Sequence, residues 1–110
     1  MDPFTIRRLE KILDGYIAVK VPHDVRSSVR LTYQWGDNLL TLSEERPDFQ
    51  ERKWLRSAIV QFRLEREKWH VYANDGNNGW HTVASISPHA DFEQQLEQVE
   101  LDLEGVFWIS

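Results

Sequence analysis

From Ser57 to Ile86, apolar and polar residues alternate with the period of two that marks strands with one buried face. Ala58, Val60, Phe62 and Leu64 interleave with Ile59, Gln61, Arg63 and Glu65. A turn at Arg66 and Glu67 predicts Leu64 opposite Trp69 and Phe62 opposite Val71, which brings both apolar sets to one side. The next strand, Trp69 to Asn74, ends at Asp75-Gly76-Asn77-Asn78, a run that tolerates positive φ. A last strand is predicted from Trp80 to Ile86. With a loop of two or four residues, Trp80, Thr82 and Ala84 share the face of Val71 and Ala73. The opposite face then gathers Gln61, Arg63, His70, Tyr72 and His81.

Elsewhere the period changes. Within Phe4 to Lys20, Ile6, Leu9, Ile12, Leu13, Tyr16 and Ile17 recur at helical spacing, with Asp2 placed to cap and Pro3 suited to the first turn. Val21-Pro22 ends that helix, because a residue before proline avoids helical geometry. Val29, Leu31, Tyr33 and Trp35 alternate with Arg30, Thr32 and Gln34, Gly36-Asp37-Asn38 marks a turn, and a second strand returns from Leu39 to Glu45. Arg46-Pro47 is expected to interrupt it, leaving residues through Arg56 as the longest and least regular connection. Asp91 or Ser87 opens a second helix in which Phe92, Leu96, Val99 and Leu103 recur. Gly105 suits its stop, and Val106-Phe107-Trp108-Ile109 is expected to tuck into the core. The predicted architecture is α+β: an N-terminal helix, a five-stranded antiparallel meander and a C-terminal helix, with both helices on one face of the sheet.

Composition bounds the function classes. The 110 residues are read as a single domain, residues 1–110, with 41% hydrophobic content, enough for a core. The absence of cysteine removes disulfides, thiolate metal sites and cysteine nucleophiles together. No signal-peptide core and no run near the roughly 18 apolar residues of a membrane span is present, so a cytoplasmic location and no membrane association are expected. Charge is uneven. Residues 1–68 hold all 13 Lys and Arg against 11 acids, whereas residues 69–110 hold 7 acids and no base. That balance repels a phosphate backbone and argues against nucleic acid as the partner.

Glu44-Glu45-Arg46-Pro47 with Phe49, then Gln61-Phe62-Arg63, Lys68-Trp69, Asn77-Asn78, Trp80-His81 and Gly105-Val106-Phe107-Trp108 form a dispersed pattern. With Phe4-Thr5-Ile6-Arg7-Arg8 and Arg30-Leu31-Thr32-Tyr33 it spans nearly the whole chain and resembles a family of short bacterial proteins known only as a domain of unknown function. The resemblance implies a standalone cytoplasmic bacterial domain and brings no activity, cofactor or catalytic residue.

The candidate chemistry is sparse. His70 and His81, on one face in this register, make half of a metal site, but no local ligand spacing completes it, and solvated histidines are the commoner arrangement. Glu44 and Glu45 are strand neighbours pointing to opposite faces, so they form no carboxylate dyad, and Glu44-Glu45-Arg46-Pro47 reads better as a structural ion pair with proline ending the strand. Asp48 stands too close to Glu51-Arg52-Lys53 for the acid and E-x-K elements of a metal-dependent nuclease, which occupy successive strands. Arg30, Arg63, Gln61, Tyr72, His70 and His81 would make a mixed polar and aromatic surface for RNA, yet Tyr72 is its one aromatic. Phe49 and Trp54 either cover an open end of the sheet or form an exposed anchor. No nucleophile elbow and no phosphate-binding glycine loop is present.

The sequence therefore predicts a noncatalytic domain without cofactor, binding a protein partner or a second copy through the polar sheet face or the Glu44 to Arg56 segment. The residues in view are Arg30, Glu45, Arg46, Phe49, Trp54, Arg63, Tyr72, His70 and His81. The alternatives are an RNA or small-ligand binder using Arg30, Arg63, Tyr72 and the histidines, and a metal-dependent hydrolase centred on His70 and His81.

Overall fold

The first helix starts where the sequence places its cap. In the computed structural model, which describes residues 1–77 and 79–108, helix α1 runs Pro3–Lys20. The Asp2 carboxylate accepts the Thr5 backbone N–H at 2.9 Å and the Thr5 hydroxyl at 2.7 Å. Those bonds, the hydroxyl foremost, hold the Asp2 carboxyl below the ordinary aspartate range. Val21 ends the helix, its N–H returning to the Ile17 carbonyl at 2.8 Å, and a short 3₁₀ turn, His23–Val25, follows Pro22.

Five strands then follow: β1 (Arg30–Gly36), β2 (Leu39–Asp48), β3 (Lys53–Glu65), β4 (Lys68–Asn74) and β5 (Trp80–Thr82). They make one antiparallel sheet in the order β1-β2-β3-β4-β5, and helix α2 (Phe92–Leu101) is the last element. The β3–β4 register is the expected one, with Leu64 opposite Trp69 and Phe62 opposite Val71. Its two-residue turn puts Arg66 at φ 52° and Glu67 at φ 64°. That geometry matches the twist of a hairpin and costs non-glycine residues on the order of 1 kcal/mol each.

Three expectations need correction. β2 does not stop at Arg46-Pro47 but continues to Asp48, and β3 begins at Lys53, so the long irregular connection shrinks to residues 49–52. Proline does not end β2, because the Glu45 carboxylate, two residues before it, bonds to Arg56 on β3 at 3.0 Å and holds the hairpin together there. The last strand covers only Trp80–Thr82, because the Ile86 N–H turns back to the Val83 carbonyl and the Ser85 N–H goes to the Glu104 carboxylate. The β4–β5 loop is five residues, 75–79, which reverses the parity: Ala73 faces His81, Tyr72 faces Thr82 and Asn74 faces Trp80. Asn78 and Ile109, which also figured in the sequence reading, lie outside the described residues.

The chain divides into two compact units, residues 1–32 with 43–57 and residues 33–42 with 58–110. In the first, Leu9 and Leu13, one helical turn apart on α1, are fully buried, and Val21 and Leu31 are buried with them. In the second, α2 lies on the apolar face of β3 and β4. The Phe92 ring sits 4.9 Å from that of Phe62 and 5.2 Å, edge-on, from that of Trp69. Asp91 caps α2 through the Glu93 N–H, and Leu96 and Val99 extend the buried stripe. Gln95, polar yet 1% exposed, is satisfied because its amide donates to the carbonyls of Trp69 and Ser87, both at 2.9 Å.

Leu103, expected in that stripe, is 71% exposed, because α2 stops at Leu101. Asp102 takes the left-handed conformation, φ 46°, and its carboxylate collects the N–H groups of Val106, Phe107 and Trp108. Burial opposes ionisation of Asp102, but these backbone bonds outweigh it and hold its carboxyl below the ordinary range. Phe107 is buried as expected, and the Trp108 indole donates to the Val99 carbonyl at 3.0 Å.

Candidate functional site

Because β2 and β3 extend as one hairpin, residues that looked like loop are held on strands. In the first unit Glu45, 7% exposed, is the hub. Arg56 on β3 donates to one carboxylate oxygen at 3.0 Å, the Thr32 hydroxyl lies 3.4 Å from that oxygen, and the Arg30 guanidinium approaches the other at 4.0 Å. Arg30 also stacks on Trp54, its guanidinium carbon 3.4 Å from the ring centroid. One carboxylate between two guanidiniums leaves the cluster cationic, and both arginines remain about half exposed. The structural ion pair expected in this string is formed by Arg46 with Glu44, while Glu45 turns to Arg30 and Arg56.

At the tip of the same hairpin, Asp48 accepts the backbone N–H groups of Gln50 and Glu51, at 3.0 and 3.3 Å, and Arg52 takes φ 55°. This tight return leaves Phe49 85% exposed. Beside it an open hollow of about 250 Å³ is lined by Pro47, Asp48, Phe49, Arg52, Lys53 and Trp54. Lys53 pairs with Glu51 at 2.6 Å, while Arg52 has no ion-pair partner among the described residues. The two aromatics singled out in the sequence thus part ways: Trp54 is half-buried under Arg30, and Phe49 projects.

In the second unit, the polar face of β3 and β4 is linked to itself. Arg63 stacks on Tyr72, 3.9 Å from the ring centroid, and donates to the Gln61 carbonyl at 2.6 Å; the Gln61 amide in turn donates to the Thr41 hydroxyl at 3.0 Å. His70 sits directly opposite Arg63 in the ladder. His81 does not join them, because the five-residue loop turns it to the face of Ala73. The paired-histidine centre expected for a hydrolase is therefore not formed: His70 and His81 point to opposite faces of adjacent strands.

His81 instead clasps the loop that displaced it, its Nε2 2.8 Å from the Asp75 carboxylate, which also accepts the N–H groups of Asn77 and Gly79. The His81 contact and then these backbone bonds hold the Asp75 carboxyl below the ordinary range. A Cβ at Gly79 would press on that carboxylate and shift it from this arrangement. A second hollow, about 190 Å³, lies against this clasp and includes His81, Thr82, Glu104 and Val106.

Arg56, Thr32, Arg52 and Asp75 were missed by the sequence reading. A signal for Arg56 exists: once β2 is carried past Pro47, Glu45 and Arg56 stand at similar distances from the turn at residues 49–52.

The chain belongs to the family described as a domain of unknown function (DUF3024), whose model matches residues 1–109. No curated relative and no solved structure matches it. Among the described residues, no helix is long and apolar enough to cross a membrane.

Proposed function

We propose that this domain is a noncatalytic interaction module that docks a protein partner through the tip of the β2–β3 hairpin. The observation that supports the reading is Phe49. A large aromatic, 85% exposed, stands at the rim of a hollow floored by Trp54, on a turn fixed by Asp48 and at the end of strands clamped by Glu45, Arg30 and Arg56. An anchor of this kind, aromatic and presented on a rigid base, pays little ordering entropy on binding. Asp48, Arg52 and Lys53 supply a polar rim. The polar face of β3 and β4 is a weaker candidate, because Arg63 already covers one face of Tyr72 and Gln61 is spent on Arg63 and Thr41. For the same reason a base-stacking RNA platform gains no support there.

The test compares immobilised wild-type chain with Phe49→Ser in capture from cells of the native source. A protein retained by the wild type and lost with Phe49→Ser, at unchanged thermal midpoint, supports the module. Capture that is identical for both chains, at every abundant protein, removes it.

A further inference from the structure

The hairpin tip has a counterpart in the same chain. The first unit carries 10 basic and 8 acidic residues; the second carries 3 basic and 10 acidic. Within the second unit, the end of α2 exposes Leu101 at 57% and Leu103 at 71% among Glu97, Glu100 and Glu104. This end is held in place: Asp102 ties the following backbone through three N–H groups, and Glu104 accepts the Ser85 N–H at 2.8 Å. The surface therefore presents two exposed leucines, Leu101 and Leu103, among three glutamates, with the backbone that follows tied down by Asp102. The hollow at Phe49 offers an aromatic rim and, beside Asp48 and the Lys53–Glu51 ion pair, Arg52, a cation without an ion-pair partner among the described residues. The other strongly exposed apolar side chains, Phe4 and Val19, stand at the two ends of α1, and the Arg7 guanidinium lies over the Phe4 ring.

We propose, resting on the hairpin reading above, that the chain associates head to tail with a second copy, the hollow beside Phe49, Arg52 and Trp54 of one copy taking Leu101 and Leu103 at the acidic end of α2 of the next. Such a contact is heterologous: each copy offers two different surfaces, and neither surface pairs with itself. Apolar contact supplies the affinity, while opposite charge sets the orientation and disfavours the isologous alternatives, which would bring like charges together.

Sedimentation equilibrium over a concentration series tests this directly. The wild-type chain is expected to show mass above the monomer that grows with concentration, and Phe49→Ser and Leu103→Ser are each expected to remain monomeric at unchanged thermal midpoint. Mixed together, the two variants should recover a one-to-one dimer that grows no further, because one supplies the intact acidic end and the other the intact hollow. Arg52→Glu should weaken wild-type association by about tenfold or more, as expected of like charges brought together. A wild-type chain that stays monomeric, a Leu103→Ser chain that associates like the wild type, or a mixture that stays monomeric each overturns the proposal. Should the wild-type chain be monomeric while a Phe49-dependent protein is captured from cells, the hairpin reading survives and self-association alone fails. Loss of both results removes both.

Discussion

Two loops of this protein open on an aspartate and come to opposite ends. In the β4–β5 loop, Asp75 accepts the N–H groups of Asn77 and Gly79 and clasps His81 at 2.8 Å, so the loop spends its polar groups on itself. In the β2–β3 turn, Asp48 likewise accepts two N–H groups, but the residue that follows is Phe49, 85% exposed, and the anchoring contacts lie at the strands below it. One aspartate closes a loop; the other holds up an aromatic. The same local device therefore gives no information about function until the residue beside it is known.

The comparison can be broken from the base of the hairpin upward. Glu45→Ala should have the largest effect, because it leaves Arg30 and Arg56 facing each other across an empty site. With both arginines about half exposed, the loss is discounted to about 2 kcal/mol, read by chemical denaturation. Asp75→Ala should cost less, a fall of a few degrees in thermal midpoint, with the β4–β5 amides exchanging faster while those at residues 49–52 do not change.

The same variant sharpens the pH response. Asp75, Asp102 and Glu104 all have carboxyls held below their ordinary values, Asp75 chiefly by His81 and Glu104 chiefly by Ser85. Groups depressed in the folded chain contribute stability that is fully present above the unfolded carboxylate range and is lost as pH falls through the folded values. The wild-type midpoint should therefore drop below about pH 4, and Asp75→Ala should drop less steeply there.

The β3–β4 turn supplies a smaller test. Glu67 sits at φ 64° with a side chain, so Glu67→Gly should raise stability by about 0.5 kcal/mol, relief of the left-handed strain being partly offset by the greater freedom of glycine when unfolded. Phe49→Ser should have the smallest effect on stability, under about 0.5 kcal/mol, because the ring is outside the core.

What the sequence made legible follows how local each determinant is. Helix α1 was readable because Asp2, Pro3 and the Leu9–Leu13 spacing act within one or two turns of chain. The β3–β4 register was readable because a two-residue turn and two apolar faces admit one parity. The β4–β5 parity was not, since an even loop was assumed and the Asp75 clasp on His81 stabilises an odd one, which sent His81 to the other face. Glu45 and Arg56 were hidden for a related reason: proline signals the end of a strand, whereas β2 continues through Pro47 to Asp48. The aromatics Phe49 and Trp54 were recognised as a pair, but their division into a floor and a projecting anchor depends on Arg30, which is distant in sequence.

The central claim is that residue 49, and not the closed loop, meets a partner. The most direct measurement places a photo-crosslinking side chain at Phe49 in one chain and at Asn77 in another, and irradiates both in cells of the native source. The account predicts a discrete crosslinked species from position 49, either a second copy or one defined protein, and none from position 77. Equal crosslinking from the two positions, or none from position 49, would contradict it.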